Sequence, residues 1–159
     1  MNGYLIDTNI LSELRKPRHK ASEKVLEWWE SVKGEPLFLS VMVLGEVRRG
    51  IDLLRGRDAP TAAVLERWLA ETRVAFSGRI LSVGIEDALC WGRLSAIRAL
   101  PQVDGLLAAT ALEHDLILVT RNEADFAGLD IRVLNPFREL LHPPLTRTEV
   151  RAPLAPIFP

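Results

Sequence analysis

A chain of 159 residues, 48% of them hydrophobic, is long enough for one domain with a sizeable core. Its formal net charge of −1 excludes a strongly cationic protein but leaves room for a local basic groove. A single cysteine, Cys90, excludes an internal disulfide framework and any Cys-rich zinc site. It lies between Leu89 and Trp91 in an apolar pattern and reads as a core thiol. The N-terminus has no basic segment followed by a hydrophobic signal core, and no apolar run reaches bilayer-spanning length. The expectation is therefore a cytoplasmic protein with no membrane segment.

In chain order, the first apolar run is 3–6, and Asp7 ends it. Thr8 and Asn9 interrupt the pattern before Ile10, Leu11 and Leu14 begin a helical one. Asp7 has two readings here: a helix N-cap, or one of several acids gathered at a strand end to hold a metal. In 21–33, Val25, Trp28, Trp29 and Val32 recur at helical steps. A second strand is expected at 37–40, and Ser40 can cap a helix over 41–54 that turns Val43, Val47, Ile51 and Leu54 to a core. A helix over 60–72 carries Val64, Leu65, Trp68 and Leu69; a third strand follows at 80–83. Helices over 85–97 and 103–114 precede a fourth strand at 116–120, almost continuously apolar as in a parallel strand covered on both faces. A fifth strand falls at 131–134. The four tryptophans all lie in helical segments at or near apolar positions, where packing accounts for them.

Strands alternating with helices predict an α/β fold with helices on both sides of the sheet. In such sheets function sits beyond the C-terminal strand ends, near the point where strand order reverses. Four acids fit that rule or face inward from a helix. Asp7 follows the first strand and Asp125 follows the fourth. Glu46 shares a helix with Val43 and Val47, and Asp104 has Leu107 and Ala108 three and four residues on. An inward carboxylate is costly unless hydrogen-bonded, paired or bound to a metal. Each acid also has an ordinary reading: Asp104 as a capping acid, Glu46 as a partner of Arg48 or Arg49, Asp125 as a turn residue with Asn122.

Four segments in order, LIDTN at 5–9, SVMVLGEVRRG at 40–50, PQVDGLLAATA at 101–111 and LILVTRNEADF at 116–126, resemble the PIN domain of VapC-type ribonuclease toxins from bacterial toxin–antitoxin pairs. The likeness covers about residues 3–141, which implies a PIN-like nuclease domain at 1–141 followed by a proline-rich tail at 142–159 that departs from the family's compact domain. The resemblance implies a three-layer α/β/α fold with a parallel sheet of order 3-2-1-4-5. It makes Asp7, Glu46 and Asp104 an acidic triad and Asp125 a fourth acid, all expected metal ligands. Thr120 and Asn122 match the polar residues beside the fourth acid, and Asn9 matches the Asn of the first loop, where it would hydrogen-bond a ligating carboxylate. On this likeness Asp7 is read as a metal ligand in preference to a cap.

Oxygen ligands without a Cys or His cluster favour Mg²⁺ or Mn²⁺ over zinc. His19, His114 and His142 have no ligand spacing, and His114 reads as a surface or helix C-terminal residue. The implied activity is endoribonuclease cleavage of RNA by metal-activated water. Basic residues should line the approach: Arg48 and Arg49 after Glu46, Arg15 and Lys16 with Arg18 and Lys20 after the first helix, and Arg121 after the fourth strand. The family implies a homodimer and a larger assembly with a cognate DNA-binding antitoxin, for which helices 21–33 and 60–72 are candidate faces. Three other readings compete. A phosphoacceptor receiver domain needs an Asp ending the third strand and a Lys after the fifth, where this chain has ILSV and Asn135. A catalytically inactive PIN-like binding module fits poorly with the presence of all four acids. A DNA nuclease would use the same chemistry.

Overall fold

The computed structural model describes residues 2–138. The proline-rich tail expected at 142–159 and the last residues of the expected domain lie outside them. Five parallel strands, β1 (Tyr4–Ile6), β2 (Leu37–Ser40), β3 (Ile80–Leu81), β4 (Ile117–Val119) and β5 (Val133–Leu134), form one sheet of order β3-β2-β1-β4-β5. Six helices connect and cover it: α1 (Thr8–Leu14), α2 (Glu23–Ser31), α3 (Val41–Arg55), α4 (Ala59–Ala75), α5 (Ile85–Ile97) and α6 (Gln102–Glu113). A 3₁₀ turn spans Glu123–Phe126. The expected α/β fold and strand order are both present.

β1 is the central strand because all three of its side chains are buried, as a strand covered on both faces requires. It pairs Tyr4 with Leu37 on one side and Tyr4, Leu5 and Ile6 with Ile117, Leu118 and Val119 on the other. The backbone N–H of Asp7 donates to Val119 at 3.0 Å and that of Thr120 to Leu134 at 3.0 Å. Asp7 and Thr120 therefore leave neighbouring strands side by side, at the position where strand order reverses.

Helix ends follow local chemistry. Asp7 is the N-cap of α1, its Oδ1 accepting the N–H of Thr8 at 2.6 Å. Ser40 caps α3 as expected, accepting from Met42 at 3.1 Å. α6 carries Leu107 to Ala111 buried without a break. Cys90 is buried, as are Trp28 and Trp68, while Trp29 and Trp91 are half-buried against the core. The aromatic side of α2 thus turns inward at Trp28 rather than offering an open face; exposed apolar side chains lie instead on α4 (Val64, Val74) and α5 (Ile85, Leu89).

The main departures are at strand ends. The third strand keeps two residues of the four expected and the fifth two of four, because both are edge strands with a neighbour on one side only. α4 extends beyond the expected 60–72 at both ends; Asp58 starts it by accepting from Thr61 at 3.0 Å, with Pro60 in its first turn.

Candidate functional site

Asp7 is almost fully buried at the C-terminal end of the central strand, where its carboxylate is surrounded by protein donors. Oδ1 takes the Thr8 amide; Oδ2 takes the Asn9 side-chain amide at 2.7 Å and the Thr120 hydroxyl at 2.6 Å. A carboxylate has about four acceptor positions, so one, on Oδ1, is left open. The cap and ligand readings are therefore compatible: the geometry makes Asp7 a cap and leaves it a free lone pair. Burial raises its carboxyl above the usual range, the charge of Glu46 adds to this, and the hydrogen bonds from Thr120, Thr8 and Asn9 act in the opposite direction.

A short polar network fixes this carboxylate. Asn9 also donates to Thr120 Oγ1 at 3.1 Å and accepts the backbone N–H of Arg121 at 3.1 Å. The N–H of Asn122 donates to Thr120 Oγ1 at 3.1 Å. Thr120 is wholly buried and spends its proton on Asp7, so it orients the acid rather than facing a substrate. Asn122 is exposed, and Asp125 lies in the 3₁₀ turn that follows it, its N–H donating to Asn122 at 3.1 Å.

Glu46 reaches the site from α3, accepting a hydrogen bond from the Thr8 hydroxyl. It pairs with neither Arg48 nor Arg49. Thr8 was not singled out from the sequence, although its place directly after the capping acid is a signal that could have found it. Asp104 sits in the first turn of α6, two residues inside the helix start, so it is not the cap. It is half-buried and has no hydrogen-bond or ion-pair partner among the described residues. Burial, and then the charges of Asp7, Glu46 and Asp125, push its carboxyl up to about 6. All four acids thus share one electrostatic neighbourhood. Among the described residues, no three His, Cys, Asp or Glu side chains are gathered tightly enough to hold an ion as they stand.

The backbone of Gly105 lets α6 approach α5: a Cβ there would meet Trp91 Cδ1 at 2.8 Å and Nε1 at 2.9 Å. The residue next to Asp104 is therefore seated against an indole, which fixes the start of α6.

The basic residues divide by their partners. Arg48 gives its guanidinium fork to Glu66 on α4, Nη1 to Oε2 at 2.7 Å and Nη2 to Oε1, and Arg55 joins the same carboxylate at 2.8 Å. These contacts, Arg48 first, hold Glu66 down at about 2. Arg48 thus braces α3 against α4, a role the sequence reading did not assign it. Arg49 is exposed and makes no ion pair among the described residues. Arg15 lies over the Trp68 ring at 5.6 Å. Lys16 is bound by the buried Glu13 at 2.6 Å, and Glu13 also accepts the Ser22 amide at 2.8 Å. His114 stands at the C-terminal end of α6 with Nε2 3.6 Å from Asp87 Oδ1, away from the acids.

A strand-end carboxylate network at the reversal point of a 3-2-1-4-5 parallel sheet defines a class, and comparison identifies it. The model of the PIN domain family matches residues 4–131, and the chain belongs to that family. Toxin FitB of Neisseria gonorrhoeae is 30% identical over 141 residues, covering 85% of this chain and 99% of that protein. VapC ribonuclease Y4jK of Sinorhizobium fredii is 28% identical over 138 residues, covering 84% and 96%. The solved structure of FitAB bound to IR36 DNA fragment superposes with a TM-score of 0.75 at 29% identity, covering 87% of this chain and 99% of that one. No helix among the described residues is long and apolar enough to cross a membrane.

Proposed function

We infer that this protein is a divalent-cation-dependent endoribonuclease, the toxin of a toxin–antitoxin pair. The observation that carries the reading is Asp104: a half-buried carboxylate without a hydrogen-bond or ion-pair partner among the described residues, raised first by burial and then by the charges of Asp7, Glu46 and Asp125. Such a group is costly as an apoprotein feature and is relieved by a cation. Asp7, Glu46, Asp104 and Asp125 would hold Mg²⁺ or Mn²⁺, because the donors are hard oxygens with no imidazole or thiol among them. Closing on one ion requires these acids to draw nearer than they stand. When bound, the cation supplies charge neutralisation on the phosphodiester and acidifies the attacking water.

The chain's own groups do the rest. Thr120, Asn9 and the Thr8 amide hold Asp7 in one rotamer and leave one lone pair outward. Thr8 holds Glu46 against the same corner. Asn122, exposed beside Thr120, is placed to hydrogen-bond water or a phosphate oxygen. Arg49 and Arg121, exposed and without an ion pair among the described residues, would attract the RNA backbone, with Arg15 at the C-terminal end of α1. Ribonuclease action is supported by the similarity to a VapC ribonuclease, and toxin identity by that to FitB. Similarity to a toxin–antitoxin complex from Klebsiella pneumoniae supports an antitoxin partner, and the exposed Ile85 and Leu89 on α5 offer an apolar face for a homodimer or that partner.

The test is cleavage of total RNA by the purified chain with Mg²⁺ and with EDTA, alongside Asp7→Asn and Asp104→Asn proteins. Cleavage is expected only for wild type with Mg²⁺. Equal cleavage in EDTA, or by either variant, would overturn the assignment.

A further inference from the structure

We propose that Arg121 and Phe137 form a stacking subsite for an unpaired nucleobase beside the cleaved bond, a proposal that rests on the ribonuclease reading above. The Arg121 guanidinium lies over the Phe137 ring, Cζ 4.7 Å from its centroid. Arg121 is exposed and Phe137 half-buried, and Arg121 makes no ion pair among the described residues. A planar cation with one face on a ring has its other face available, and its in-plane N–H groups as well. Bases of single-stranded RNA stack on aromatic rings and on Arg guanidinium planes.

The pair is built rather than incidental. Asn135 bridges both halves: its Nδ2 donates to the Arg121 carbonyl at 3.1 Å, and its Oδ1 accepts the Phe137 N–H at 3.0 Å. Pro136, between them, is buried. The ion pair of Arg138 with Glu123 ties the same turn to the start of the 3₁₀ segment that carries Asp125. On its other side, the Arg121 amide donates to Asn9, which holds Asp7. One residue therefore links the carboxylate network to the aromatic platform, so a nucleotide whose phosphate meets the acids has its neighbouring base within the reach of Arg121. A simple phosphate clamp needs neither the ring nor Asn135.

The test uses the full chain and short single-stranded oligoribonucleotides with one base removed at each position in turn. Binding is read by anisotropy in EDTA, which prevents cleavage, and cleavage is followed in parallel with Mg²⁺. Removing the base at one position next to the cleaved bond should weaken wild-type binding by roughly five- to a hundredfold. Phe137→Leu and Arg121→Lys should lose a similar factor on the intact oligonucleotide and lose nothing further on base removal. Arg121→Lys keeps the charge at an exposed position, so it tests stacking even if Phe137→Leu fails to fold. Wild-type affinity for every abasic oligonucleotide, or for Arg121→Lys, would overturn the subsite and leave a phosphate contact. Normal cleavage with no base dependence overturns the subsite alone. Base-dependent binding without Mg²⁺-dependent cleavage supports the subsite and overturns the ribonuclease reading.

Discussion

Replacing Asp104 with Asn should stabilise the metal-free protein. The carboxyl stands at about 6 instead of 3.8, which sets a ceiling of about 3 kcal/mol on the cost of keeping it ionised. Solvent screening of a half-exposed group lowers this to about 1–2 kcal/mol. For a domain of this size that corresponds to about 3–8 °C in Tm. The sign follows from proton binding. Between 3.8 and about 6 the folded protein holds a proton that the unfolded chain has lost, so stability falls as pH rises through that window. The Asn variant carries no such penalty. Its advantage should be complete at pH 7.5, shrink through pH 6 and vanish near pH 4. Thermal melts in EDTA across this range measure it. Mg²⁺ should raise the wild-type Tm and narrow the gap, since a ligand of the folded state stabilises by mass action. An Asn variant less stable than wild type at pH 7.5, or an advantage independent of pH, would refute the idea that burial, together with the charges of Asp7, Glu46 and Asp125, disfavours the ionised Asp104.

Gly105→Ala should cost about 1–3 kcal/mol and impair cleavage, because its Cβ would press on Trp91; adding Trp91→Leu should recover stability, as urea titrations would report. Glu13→Ala should cost about 1–3 kcal/mol by orphaning the Ser22 amide and freeing Lys16. Burial raises the Glu13 carboxyl, but the hydrogen bonds from Lys16 and Ser22 outweigh it and leave the group lowered. The Glu13 contribution should thus be full above the ordinary carboxylate range and be lost as pH falls through its lower folded value, a loss that acid melts of the Ala variant should not show. Arg48→Ala should lower Tm while leaving the salt dependence of RNA binding intact, since Glu66 already occupies its fork. Arg49→Ala should reduce the salt slope by about one unit or less at unchanged Tm.

The fold was legible because its signals are periodic: helix faces repeat at three and four residues, and the nearly unbroken apolar runs of β1 and β4 mark buried parallel strands. Position alone marks Asp7 and Thr120 as strand-end residues; that their strands are neighbours followed only from the family resemblance, and the pairing of β1 with β4 bears it out. What stayed hidden depends on contacts between segments that no pattern links. The Arg48–Glu66 brace arises from how α3 and α4 cross, 18 residues apart in sequence. Glu13 finds its second partner in a backbone amide nine residues on, and Asn135 grips a carbonyl 14 residues back. Backbone groups carry no residue signature, so neither bond could be read from side-chain chemistry. The residues around Asp7 leave cap and ligand both open, and only the family likeness favours ligand, because a sequence does not reveal how many lone pairs a carboxylate has left; its hydrogen bonds do.

The central claim is that acids from the ends of β1 and β4 and from α3 and α6 share one cation. Crystals grown with MnCl₂ and measured at the manganese edge test it directly. An anomalous peak is expected in contact with carboxylate oxygens of Asp7 and Asp104, absent from an Asp104→Asn crystal grown identically. A peak away from both residues, or none at saturating Mn²⁺, would contradict it.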